Sequence, residues 1–420
     1  MKQRKIHPGW FAAGITFITL MAAAGFRSAP SILIVPLMDA FGWSRSDISL
    51  AVAVNILLYG LTAPFAAALV DKFGVRRVGM SALTLVGSGA LLTIFIQKPW
   101  HLILLWGVIV GVGTGSMALV FAASVATRWF VEKRGLVMGL LTAATATGQL
   151  IFLPGLSHLV MTHGWKSVSI AVGGSALAVV PFIAIFLKES PQSMGLAPYG
   201  APMDWEPPQK SPIPPARLAV QTLRESISRR DFWILFGSFF VCGLSTNGLI
   251  GTHFIPAAHD HGMMETVAAG LLAMVGVFDV IGTVFSGWLT DRVDARKLLF
   301  FYYLTRGLSL FLLPSILFKT VHPSTLVFVI FYGLDWVATV PPTVMLSRVV
   351  LGPDRGLIVY GWVFAGHQIG ASVAAFGAAL LRIKFGDYAV AFYISATFCI
   401  FTAFAVLQIA RGKSSAELRG

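Results

Sequence analysis

The sequence predicts an all-α membrane protein with twelve transmembrane helices in two six-helix halves. Three observations predict it. Twelve apolar stretches are each about as long as the ~20 residues a helix needs to cross the hydrocarbon core. Only 12% of the 420 residues are charged, against ~25% in an ordinary soluble domain, and mean hydropathy is +0.79. The chain also repeats. A shift of 220 residues places Asp71-Lys72 on Asp291-Arg292, Pro36 on Pro256 and Gly42 on Gly262, and a shift of 221 places Arg134-Gly135-Leu136 on Arg355-Gly356-Leu357.

The first half is predicted over residues 1–188, with spans at 10–38, 48–70, 78–96, 101–126, 136–159 and 167–187. Its first span follows a short basic segment (Lys2, Arg4, Lys5) and runs to Met38. That is longer than the ~7–15-residue core of a signal peptide, so the span is read as retained. Gly107, Gly111, Gly113 and Gly115 stud the fourth span and point to close helix packing. Residues 189–230 form a cytoplasmic linker rich in proline (Pro207, Pro208, Pro212, Pro214, Pro215). Its later part is apolar at Leu218, Val220, Leu223 and Ile227, the pattern of an amphipathic helix on a membrane surface.

The second half is predicted over residues 231–420, with spans at 232–257, 267–290, 298–318, 324–347, 358–381 and 388–410. Pro341-Pro342 are expected to break the tenth span. Cys242 and Cys399 both fall within apolar spans and read as buried thiols rather than a disulfide framework.

Charge placement sets the orientation. With the N-terminus in the cytoplasm, 23 of the 31 Lys and Arg lie in inside segments, six lie in outside loops, and Arg27 and Arg306 lie within spans. This excess predicts cytoplasmic termini. It also turns the net charge of +13 away from nucleic acid, because the basic residues flank spans and form no single patch. There is no Gly-rich loop ending in Lys-Ser/Thr, so gradients rather than ATP would drive any transport. No His/Cys cluster has metal-site spacing. No cofactor is expected, and no nucleophile–base pair at helical spacing suggests an enzyme.

Two loops carry the first resemblance. One reads Ala67-Ala68-Leu69-Val70-Asp71-Lys72-Phe73-Gly74-Val75-Arg76-Arg77 and its counterpart reads Gly287-Trp288-Leu289-Thr290-Asp291-Arg292-Val293-Asp294-Ala295-Arg296-Lys297. Both resemble the cytoplasmic-loop signature of the major facilitator superfamily, although Ala67 and Asp294 stand where glycine is usual. The superfamily is built from two parallel six-span halves with a site between them near the midplane. Asp71, Arg76, Asp291, Arg296 and Arg128 are therefore candidates for a conformational latch of charge pairs that form in one state and break in another. The plainer reading is a positive-inside turn.

A narrower resemblance lies in Arg128-Trp129-Phe130-Val131-Glu132-Lys133-Arg134-Gly135-Leu136-Val137-Met138-Gly139 and in Glu189-Ser190-Pro191-Gln192-Ser193-Met194-Gly195-Leu196-Ala197-Pro198. Both resemble segments of monocarboxylate transporters and of oxalate:formate antiporter relatives. Phe278-Asp279-Val280-Ile281-Gly282-Thr283 resembles their eighth span, except that Thr283 stands where that family places an arginine that helps bind the carboxylate. By this resemblance, the carboxylate-binding cation must come from elsewhere.

Arg27 is the natural candidate. It lies deep in the first span, where a charge costs at least ~2.5–3.5 kcal/mol and normally faces a polar cavity or a partner. Its planar fork matches a carboxylate. The alternative is a permanent ion pair with Asp279 or Asp335. Those two carboxylates, in spans 8 and 10, are candidate proton carriers, since proton affinity depends on burial and neighbouring charge. Arg306, in span 9, is expected to pair with one of them, because a buried guanidinium without a counter-ion is costly. His367 could relay protons or simply be a neutral, satisfied imidazole. Asn247 (the repeat equivalent of Arg27), Asn55, Tyr59 and Gln149 are further substrate-binding candidates, and each could equally cross-link helices. His253 is at best a gate residue.

Together these readings predict a secondary transporter of a small organic acid, coupled to a proton or a counter-anion and working by alternating access. It is expected to be a monomer in the bilayer of a bacterial inner membrane. Two rivals remain at this stage: an exporter of drugs or cations using the buried carboxylates, and a membrane sensor that binds without net flux.

Overall fold

The computed structural model describes residues 7–117, 119–202, 213–290, 292–352 and 355–410. Its helices follow the predicted order. In the first half these are α1 (Pro8–Phe41), α2 (Arg45–Phe73), α3 (Val75–Leu92), α4 (Pro99–Gly115 continuing as Leu119–Trp129), α5 (Arg134–His163) and α6 (Trp165–Phe186). A linker helix (Pro215–Ser226) intervenes. The second half comprises α7 (Arg230–Asp260), α8 (Glu265–Thr290), α9 (Ala295–Ile316), α10 (Pro323–Asp335 and Val340–Leu351), α11 (Gly356–Phe385) and α12 (Ala389–Val406). Among the described residues, ten helices are long and apolar enough to cross a membrane, and Pro99–Gly115 is a shorter apolar one.

Local chemistry sets the ends. The His7 Nδ1 accepts the N–H of Gly9 at the start of α1, and Pro8 occupies the first turn, where a missing N–H costs nothing. Gly42 ends α1 at φ 67°, a left-handed conformation that glycine adopts without penalty. Ser44 and Asp47 form a reciprocal capping box at the start of α2.

The repeat is visible in the packing. Within the first half α1 lies on α5, α2 on α4 and α3 on α6; the second half repeats this with α7 on α11, α8 on α10 and α9 on α12. Across the halves α2 runs along α11, α5 meets α8 and α1 meets α7. Glycines allow the closest approaches. A Cβ on Gly115 would lie 2.8 Å from the Tyr59 carbonyl of α2, and one on Gly113 would lie 2.9 Å from the Ala82 carbonyl of α3. Large apolar side chains such as Phe95, Val284 and Phe401 are exposed around the outside. This suits a surface solvated by lipid.

Two helices depart from regular geometry where the site lies. Residues 103–110 of α4 and 244–250 of α7 widen into π-helical turns, a form that recurs at functional positions. The tenth span does break, but over Trp336–Thr339, just before the prolines. Pro341 and Pro342 instead open the next helical segment, where proline fits the first turn.

The chain after α6 is tied to the first half. The N–H of Tyr199 donates to the Trp129 carbonyl, and the Tyr199 carbonyl accepts from Val131 and Glu132. The linker helix packs its small residues Ala219, Thr222 and Ser226 inward, with Val220 exposed, and touches both α2 and α11. Trp362 donates its indole N–H to the Ala219 carbonyl at 2.9 Å, and Arg355 pairs with Glu225.

Candidate functional site

A cavity of about 100 Å³ lies between the two halves. The first half contributes Ser31 of α1 with Asn55 and Tyr59 of α2. The second half contributes Asn247 and Thr252 of α7, Asp279 of α8, Trp336 of α10 and Gln368 of α11, and Phe26, Val52, Leu153 and Leu272 add apolar wall. Few polar groups in an apolar shell is the usual make-up of a small-molecule site.

One irregular turn carries a lining residue and the other anchors one. Asn247 sits in the π-helical turn of α7, and the hydroxyl of Thr252, five residues on, donates to the Asn247 carbonyl at 2.9 Å. Asn55 donates its amide to the Trp106 carbonyl, in the matching turn of α4, at 2.7 Å. Asn55 therefore both lines the cavity and cross-links α2 to α4.

The break in α10 exposes backbone groups that a continuous helix would have paired, and such groups are costly when left unmade in an apolar interior. Side chains from two neighbouring helices take them up. Asp279 Oδ1 accepts the Val337 N–H at 3.0 Å and the Thr283 hydroxyl at 3.0 Å. The Ser286 hydroxyl donates to the Ala338 carbonyl at 2.5 Å. Arg306 donates to the carbonyls of Asp335 at 2.6 Å and Trp336 at 3.2 Å.

Arg306 is almost fully buried and pairs with Asp335 at 2.7 Å, with its Nη1 also 3.0 Å from the Cys242 sulfur. Of the two intramembrane aspartates, Asp335 is thus committed to Arg306 and Asp279 faces the cavity. His367 is set behind the cavity wall. Asn247 donates to its Nε2 at 3.3 Å, and Phe364 stacks on it at 5.8 Å.

The other sequence candidates divide. Tyr59 and Asn247 line the cavity. The side chains of Arg27, Gln149 and Asp71, and the whole of Asp291, lie outside what the structure describes. In sequence, Arg27 stands one helical turn before the lining residue Ser31 of α1. Arg76 donates to the Ala184 carbonyl of α6. Arg296 is held by Asp294 of its own loop at 2.6 Å and by the Ile409 carbonyl at 3.0 Å. Both arginines are therefore engaged within their own halves. Arg128 is half-buried at the end of α4.

Sequence reasoning missed a second polar cluster. It lies at the face of the bundle opposite the N-terminus, here called the distal face. Arg45 opens α2. Its Nη2 is 3.3 Å from Asp260 at the end of α7, and its Nη1 donates to the Tyr388 hydroxyl at 2.9 Å. Arg382 of α11 holds the other oxygen of Asp260 at 2.7 Å. His253 completes the chain. Its Nε2 is 2.8 Å from the Ala375 carbonyl, which can only accept, so Nδ1 is the acceptor for the Tyr388 hydroxyl at 3.1 Å. In sequence Arg45 is an ordinary loop cation, and nothing local ties it to residues more than 200 positions away. Trp336 and Gln368 of the cavity were also missed, because an aromatic or an amide within a span carries no signal of which way it faces.

The comparisons with known proteins agree with this architecture. The family model described as the Major Facilitator Superfamily matches residues 15–356. The chain is 25% identical over 389 residues to the uncharacterized MFS-type transporter YcxA of Bacillus subtilis (strain 168), with 88% of each chain covered. It is 26% identical over 428 residues to monocarboxylate transporter 11 of Mus musculus, covering 97% of this chain and 88% of that one. Its fold is similar to the crystal structure of a bacterial homolog to human lysosomal transporter Spinster, in inward-facing and occupied conformation. The TM-score is 0.72 at 14% identity, over 98% of this chain and 100% of that one.

Proposed function

Since the chain belongs to the Major Facilitator Superfamily and is a multi-pass membrane protein, we propose that it is a secondary transporter of a small organic acid, a monocarboxylate-like anion, by alternating access. The observation that carries the reading is the cavity between the halves, an apolar shell bearing a few polar groups, with Asp279 in its wall beside the break in α10. Monocarboxylate transporters 11, 12 and 13 among its relatives support the substrate class. In this reading Arg27 holds the carboxylate, Asn247, Tyr59 and Gln368 orient the rest of the molecule, and Asp279 carries the coupled proton. The N-terminus faces the cytoplasm, as the Lys and Arg asymmetry implies.

Uptake of labelled short carboxylates into proteoliposomes, with and without an imposed pH gradient, tests this. Saturable uptake of at least one acid, faster with the external side acidic, is expected. Arg27→Ala should slow it at least about tenfold, the scale set by losing a charge-assisted hydrogen bond, and wild-type rates at normal membrane levels would remove Arg27 from the site. Asp279→Asn keeps a polar acceptor for Val337 and Thr283 but cannot change charge. Loss of the pH-gradient response with anion-for-anion exchange retained is expected, and an unchanged response would exclude Asp279 as the proton carrier.

One observation favours a second reading. Among the described residues lining the cavity, Asp279 carries the only charge, which suits an amphipathic cation. Transport of such a cation that carboxylates fail to inhibit would select the exporter.

A further inference from the structure

The distal cluster is divided unequally between the halves. Arg45 belongs to α2 of the first half, whereas Asp260, Arg382, Tyr388 and His253 all belong to the second. Any motion that parts the halves at this face leaves Asp260 with Arg382 and Tyr388 with His253. Only Arg45 loses its partners. It is 8% exposed as it stands, so its guanidinium has given up most of its water for those contacts. The nearest carboxylate on its own helix, Asp47, is engaged with Ser44 in the capping box, with Oδ2 2.7 Å from the Ser44 hydroxyl. An opened distal mouth therefore presents one unpaired guanidinium, at the same seam between the halves that holds the cavity, that favours an incoming anion. The closed mouth offers it the same chemical group in the form of Asp260.

We propose that Arg45 is the gating cation of the distal mouth: it holds Asp260 when that mouth is shut and takes the carboxylate of the incoming organic anion when it opens. The first half of this statement stands on the ion pair itself, and the second rests on the organic-anion reading above. The anion thereby competes with Asp260 for one guanidinium, so its arrival and the release of the gate are a single exchange of partners. Lys or Gln could not serve equally, because a planar fork can contact Asp260 through Nη2 while Nη1 holds Tyr388.

The test uses the full chain carrying Thr252→Cys, a cavity position, in right-side-out proteoliposomes. The native Cys242 and Cys399 are buried, and protein without the added cysteine corrects for them. A membrane-impermeant methanethiosulfonate is applied from the distal side. Asp260→Asn and Arg45→Gln should each speed labelling about three- to tenfold, as expected for loss of a partly shielded ion pair that holds one state. Labelling rates unchanged in both variants overturn the gate.

Propionate uptake from the distal side separates the second role. Asp260→Asn frees Arg45, so its KM should equal or fall below that of the parent. Arg45→Gln should raise KM at least about tenfold, the loss of one charge-assisted contact, and Arg45→Lys should recover part of it. Equal KM values in Arg45→Gln and Asp260→Asn overturn the anion role and leave a gate alone. If the parent protein carries no carboxylate while labelling still responds to both substitutions, the organic-acid reading and the anion role fall together and the ionic gate stands.

Discussion

Arg306→Ala is expected to leave little stably folded protein. Arg306 is 1% exposed and its guanidinium serves five groups: the Asp335 carboxylate, the carbonyls of Asp335 and Trp336, the Cys242 sulfur and, at 3.5 Å, the Ser245 hydroxyl. Removing it strands a buried carboxylate and two carbonyls at the break in α10. Breaking a buried pair by deleting one partner costs ~3–5 kcal/mol, much of a typical folding stability of ~5–15 kcal/mol. Arg306→Lys should be intermediate, since an ammonium on a thinner stem cannot reach the carboxylate and both carbonyls together. The double substitution Arg306→Met with Asp335→Leu should recover only part of the loss. It removes the stranded charge but leaves the carbonyls of residues 335 and 336 without their donor. Thermal unfolding in detergent, followed by retention on size exclusion, reads all three. A midpoint for Arg306→Ala within a degree or two of the parent would show that the pair contributes nothing.

A second large effect is expected from one methyl group. Gly370 of α11 faces the Phe240 backbone carbonyl of α7, and Gly243 of α7 faces the His367 carbonyl of α11. A Cβ at either position would overlap backbone that cannot swing aside. Gly370→Ala and Gly243→Ala should therefore push α7 and α11 apart and cost about 1–3 kcal/mol each, the range for overpacking. They should also disturb transport, because the same helix pair carries the Asn247–His367 hydrogen bond behind the cavity. Two controls lie on α11. Gly361 and Gly377 have nothing within 4 Å of a built Cβ. Gly361→Ala and Gly377→Ala should be neutral or stabilising by about 0.5–1 kcal/mol, as glycine is the poorer helix former. If Gly370→Ala unfolds at the same temperature as Gly377→Ala, the close approach carries no energetic weight.

The sequence carried the helices and their order because lipid enforces them. Each span must be long, apolar and internally hydrogen-bonded, and those demands are written locally. Repeat spacing carried the pairing of the two halves in the same way. What failed to show were features set by contacts across the chain. Asp279 and Asp335 look alike in sequence, since each is one carboxylate in an apolar run. Only packing reveals that Arg306 reaches Asp335 and that Asp279 takes the Val337 N–H. Pro341-Pro342 signalled a break in α10 but not its position, because proline is tolerated at the start of a helix as well as disruptive within one. The π-helical turns of α4 and α7 left no periodic trace. The gate at Arg45 was invisible for a different reason: its partners lie 215 and 343 positions along the chain.

The interruption of α10 has a mechanical consequence. In an unbroken rod, bending stretches backbone hydrogen bonds over many turns, and the resistance is shared along the whole length. Here the rod is already in two pieces, and the turn between residues 335 and 340 keeps only short backbone bonds (Trp336 N–H to the Gly333 carbonyl, Val340 N–H to the Val337 carbonyl), with side chains of α8 and α9 taking up groups these leave over. Compliance is thus concentrated in a joint four residues long, with Trp336, a cavity residue, inside it. Whatever fills the cavity touches Trp336 inside that joint, and the helical arms on either side can pivot there without stretching the hydrogen bonds within either one.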